Sequence, residues 1–93
     1  MTYLVMERTF DEPMLDADLE HMGERLGPCL RDHKVQWLRS YLSSDRRRMI
    51  CTFEAPDAEA VRLAYRTAGY PFERVWPAMV LPTDAGLAPP ATP

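Results

Sequence analysis

An α+β fold with the element order β, α, β, β, α, β is predicted by three features of the sequence. Residues 35–54 (VQWLRSYLSSDRRRMICTFE) hold two alternating apolar and polar runs about a charged turn, the pattern of an antiparallel hairpin with one face on a core. On each side of this hairpin lies a segment with apolar residues at helical spacing, and beyond each of those a short run rich in β-branched and aromatic residues. The hairpin is the centre of the chain.

The first strand spans residues 3–10 (YLVMERTF), with Leu4, Met6 and Phe10 on one face and Tyr3, Val5, Glu7 and Thr9 on the other. Glu7 is a carboxylate in mid-strand. It either pairs with an arginine across the sheet or belongs to a site. Asp11, Glu12 and Pro13 break the strand, and Asp16 is placed to cap a helix whose first turn carries Asp18 and Glu20. Leu19, Met22, Leu26 and Leu30 form its buried stripe, interrupted at Gly27 and Pro28, where a kink is expected. His33 falls near its C-terminal end, a position that favours a solvated cationic cap.

In the hairpin, strict alternation puts Leu38, Ser40 and Leu42 on one face and Trp37, Arg39 and Tyr41 on the other. After the turn, Met49, Cys51 and Phe53 form an apolar row opposed by Ile50, Thr52 and Glu54. One face is core. The other mixes aromatic and charged groups, a kind of surface seldom left to water, and is expected to meet a partner. Arg46, Arg47 and Arg48 read as a solvated tip that discourages aggregation.

Asp57 caps a second helix with Val61, Ala64, Tyr65 and Ala68 on its inner face, and Gly69 with Pro71 ends it. Residues 73–81 (ERVWPAMVL) are the last strand, in which Pro77 is tolerable only at an edge or bulge. The tail, residues 83–93, has no periodicity and is expected to be a disordered, Pro-rich extension of a single domain over residues 1–82. With right-handed crossovers this order gives a ferredoxin-like βαββαβ sandwich, an antiparallel sheet with two helices on one face. Small proteins of this topology often hide the bare sheet face by dimerising, as in dimeric α+β barrels, so a homodimer is expected.

A chain of 93 residues can build one core but not two. Its net charge of −3 leaves no electrostatic footprint for nucleic acid or an anionic membrane. No membrane-length apolar run or signal peptide is visible, and a cytoplasmic location is expected. Cys29 and Cys51 form no CxxC pair and read as reduced, small hydrophobic residues.

Four segments carry a family resemblance: residues 6–10 (MERTF), 35–45 (VQWLRSYLSSD), 51–62 (CTFEAPDAEAVR) and 68–75 (AGYPFERV). In this order they resemble a bacterial domain-of-unknown-function family of small, nickel-binding, ferredoxin-like proteins. The resemblance implies a dimer and, in the nickel-binding member, metal held by histidine and acidic side chains. Many relatives have histidine just before the serine of the W-x-x-S-Y stretch, where this chain has Arg39. A guanidinium stays protonated and cannot ligate metal, so a nickel site there would be degraded. Arg39 could instead pair with Glu7 or Glu54.

The residues left for nickel are His21 with Glu24, three apart on one helix face, or His33 with Glu7 and Glu54. For a small organic ligand the candidate set is Glu7, Trp37, Arg39, Tyr41 and Glu54. Three classes of function stay open. One is a dimeric binding protein for metal or an organic ligand. A second is a cofactor-independent enzyme resembling small monooxygenases or isomerases, with a glutamate base and Arg39 stabilising an enolate or carboxylate. The third is an interaction module whose sheet face only oligomerises. No Ser/His/Asp set, phosphate loop or zinc spacing points to hydrolysis, nucleotide binding or a structural metal.

Overall fold

The computed structural model describes residues 1–81; the expected tail lies outside the described residues. Six elements follow in the predicted order: β1 (Thr2–Thr9), α1 (Asp16–Asp32), β2 (Gln36–Leu42), β3 (Arg48–Ala55), α2 (Ala58–Ala68) and β4 (Arg74–Pro77). The strands form one antiparallel sheet in the order β2-β3-β1-β4, which is the ferredoxin-like arrangement. Pro77 closes β4, which is an edge strand and spans four residues rather than the nine expected.

Alternation decides which residues meet the helices. Leu4 and Met6 of β1, Met49, Cys51 and Phe53 of β3, and Val75 of β4 are buried beneath Met22, Leu26 and Leu30 of α1 and Val61, Ala64 and Tyr65 of α2. Tyr65 binds this core together, meeting Phe53 edge-on at 6.0 Å and Phe72 at 6.3 Å. Each fully buried side chain of this size contributes about 1.5–3 kcal/mol, and each aromatic pair adds about 0.5–1.5.

Both helices end in the same pair of hydrogen bonds but with different residues. After α2, Gly69 is left-handed at φ 85°, and its N–H and that of Tyr70 return to Arg66 O and Tyr65 O. After α1 the left-handed position is Lys34, at φ 60°, with Lys34 N–H on Arg31 O and Val35 N–H on Leu30 O. At the other end of α1, Asp16 does not cap. Leu15 takes the cap position and its N–H is met by Asp18 Oδ2 at 3.0 Å, while Asp16 pairs with Arg46 at 2.6 Å. The helix runs as one element through Pro28.

Arg46 is also not a solvated tip. It is half-buried, left-handed at φ 63°, and its Nε donates to Met14 O, while Arg47 Nη2 donates to Asp11 O at 2.7 Å. The charged turn thus fastens the β1–α1 connection, because that connection offers carbonyls with no strand partner.

The largest departure is in β2. Trp37 pairs with Phe53, but the next pair is Arg39 with Thr52, so Leu38 is an extra residue in a bulge. Strict alternation fails there and the two neighbours exchange faces. Trp37 goes to the helix-covered side, where its Nε1 donates to Ser40 Oγ at 2.8 Å and Ser40 Oγ donates to Cys51 Sγ at 3.0 Å. Leu38 goes to the open side with Arg39 and Tyr41.

Candidate functional site

The open face of the sheet can be laid out from the register. One row runs Tyr41, Ile50, Glu7, Arg74 across the strands, and the next runs Arg39, Thr52, Val5, Trp76. A third begins with Gln36, Glu54 and Tyr3. Tyr41 is 57% exposed, and Trp76, Ile50 and Leu38 are each about 40% exposed on the same surface. A cavity of about 660 Å³ sits over the Arg39 row, floored by Tyr3, Leu38, Arg39, Tyr41 and Thr52. Val80 and Leu81, beyond β4, form one wall.

The structure divides the candidate ligand residues. Arg39 and Tyr41 line the cavity, and the Tyr41 phenol holds the exposed guanidinium still more firmly protonated. Thr52 donates to Arg39 O at 3.3 Å and fixes the backbone beside the bulge. Glu54 shares the face without lining the cavity, and Trp37 lies on the other side of the sheet. Glu7 finds its arginine in Arg74, not Arg39. Trp76 Nε1 donates to Glu7 Oε2 at 2.8 Å, and Arg74 Nε stands 3.9 Å from Oε1. Arg39 is two strands from Glu7, roughly 10 Å across the sheet, and among the described residues no ion pair joins it to Glu7 or Glu54. An exposed, loose pair such as Glu7–Arg74 contributes only about 0–1 kcal/mol, so the Trp76 hydrogen bond orients the carboxylate.

The metal candidates are not gathered. Glu54 faces Tyr3, and Glu7 lies four residues further along β1, roughly 13 Å away. His33 caps α1 in the helix layer, behind the sheet from both carboxylates. His21 and Glu24 are both exposed on α1. Among the described residues no three of His, Cys, Asp and Glu come together as a metal-holding group. A nickel site built from the described donors of one chain therefore does not fit.

Cys29 and Cys51 are free thiols, Cys29 half-buried and Cys51 buried. Burial pushes the Cys51 thiol up, with Ser40 opposing it through a hydrogen bond, which suits packing rather than nucleophilic chemistry.

Alternation holds a residue that the strand pattern named only by omission. Between Met6 and Phe10, the inward position is Arg8, which is 4% exposed. The parity of β1 is the signal that marks it. The partners of Glu7 carried no such signal, because the pairing of β4 against β1 is a matter of register.

Residues 3–77 match a family model described as nickel responsive protein SCO4226-like. The chain belongs to this family. The crystal structure of SCO4226 from Streptomyces coelicolor A3(2) superposes with a TM-score of 0.75, covering 84% of this chain and 96% of that one at 15% identity. At this identity the likeness concerns the fold. A comparison with curated proteins finds no match. Among the described residues no helix is long and apolar enough to cross a membrane.

Proposed function

We propose that this member of the SCO4226-like family is a homodimeric ligand-binding protein in which the open sheet face is the dimer interface and the nickel position has been given up at Arg39. The carrying observation is the exposure of Tyr41, Ile50, Leu38 and Trp76 on one face of a sheet whose other face is full. Its charges are mixed, with Arg39 and Arg74 set among Glu7 and Glu54. A two-fold axis brings such a patch onto itself with opposite charges able to meet. Like-signed faces would repel. A cavity floored by Tyr3, Arg39 and Tyr41 at that interface offers a cation, two phenols and an apolar rim, a set suited to a small organic ligand with an acceptor group.

The test is calorimetric titration with nickel of the wild type and of Arg39→His, each run beside sedimentation velocity. The expected result is a dimer in both cases, no stoichiometric nickel heat for wild type, and defined binding for the variant. Stoichiometric nickel binding by the wild type would sink the loss of the metal position, and a monomer at micromolar concentration would sink the interface.

A further inference from the structure

A second cavity lies behind the sheet, on the helix side. It measures about 280 Å³ and is lined by Phe10, Met14, Met22, Tyr70 and Pro71, with Arg8 among them. Asp18 and His21, both exposed on α1, stand at its rim.

Among the described residues, Arg8 is buried with no anion beside it. Its Nε donates to Pro71 O at 3.0 Å, and its Nη1 lies 2.8 Å from Met22 Sδ, a thioether and hence a weak acceptor. The guanidinium carbon stands 5.0, 5.4 and 5.6 Å from the ring centres of Phe10, Tyr65 and Tyr70. Among the described residues no carboxylate comes within ion-pair distance of it, and no hydrogen bond is made by Nη2. Asp18, which shares the cavity, is already engaged by Leu15 N–H. A cation taken out of water without a counter-charge carries a large desolvation penalty, which ring faces and one carbonyl offset only in part. Beside it, Tyr65 Oη is buried and meets no hydrogen-bond partner among the described residues.

We propose that this cavity binds a small organic carboxylate, with the carboxylate on Arg8 and the apolar body against Phe10, Met14 and Tyr70. The planar guanidinium matches a carboxylate through two parallel hydrogen bonds. One cation suits a monoanion, and Asp18 at the rim opposes a dianion such as phosphate. The volume falls just short of the roughly 300 Å³ at which ligand cavities for drug-sized molecules begin, and suits a smaller acid with a single ring. This site is on the opposite side of the sheet from Arg39 and does not depend on the dimer or on the open-face ligand.

The test is calorimetry and amide NMR on the full chain, titrated with phenylacetate, its neutral isostere phenylacetamide, and inorganic phosphate. Phenylacetate should saturate, with shifts at Arg8, His21 and Tyr70, and should bind at least tenfold more tightly than the amide. Arg8→Met, which fills the same space without charge, should remove that tenfold preference. Asp18→Asn, which keeps the helix cap, should tighten acid binding a few-fold. Equal affinity for acid and amide, no saturable response to phenylacetate, saturation by phosphate alone, or shifts confined to open-face residues such as Tyr41 and Thr52 would each overturn the proposal. The acid–amide comparison uses the wild-type chain, so it decides even if Arg8→Met does not fold.

Discussion

The two faces of the sheet are built from alternate residues of the same strands, yet they solve opposite problems. Beneath the helices, Leu4, Met6, Cys51 and Phe53 are fully buried, and Arg8, the charged residue buried among the described residues, is wrapped in three aromatic rings. On the open face, Arg39 stays in water and the aromatic groups Tyr41 and Trp76 are exposed beside it. The covered face carries the fold's stability, and the open face is free to specify what the fold meets. An arginine means something different on each: Arg8 has no anion beside it among the described residues, whereas Arg39 can be changed without unsettling the core.

That contrast can be broken most strongly in the core. Phe53→Ala removes a ring that packs on Tyr65 and should destabilise the chain by about 3–5 kcal/mol, read as a lower denaturant midpoint. On the open face, Ile50→Lys should leave the stability of the monomer within about 1 kcal/mol, since surface substitutions rarely exceed that. The same change should raise the dissociation constant of the proposed dimer at least tenfold, about 1.4 kcal/mol, in sedimentation equilibrium; an unchanged constant would overturn the proposed interface. The smallest effect sharpens the comparison. Tyr65→Phe removes a buried hydroxyl that has no partner, so stability should hold or rise by up to about 1 kcal/mol, and a clear loss would mean that a hidden partner exists.

Much of the fold was legible because its signals are local. Alternation sorted β1, helical spacing found the stripe of α2, and Gly69 marked its end by the one conformation that glycine adopts freely. The end of α1 shows the limit of that logic. Lys34 fills the same left-handed position without being glycine, held there by two backbone hydrogen bonds and by Val35 buried behind it, so no residue type announced the turn. The site was less legible for a related reason. One bulge at Leu38 moved Trp37 out of the candidate set and Leu38 into it, and an inserted residue leaves no mark on a pattern read strictly by twos. Of the two readings of Glu7, the structure supplies an arginine partner, but which arginine it is depends on the β1–β4 register. Arg8 could have been found from Leu4 and Met6 alone.

The bulge also bears on how copies of this chain can stack. A sheet with a long straight border is a template onto which further chains add strand by strand into fibres. Among the described residues one border is β2, broken at Leu38, and the other is β4, four residues long and stopped by Pro77. Neither offers an unbroken ladder of free N–H and C=O groups. Growth by border addition is thereby discouraged at both ends, which leaves the broad surface between them to the closed pairing proposed above.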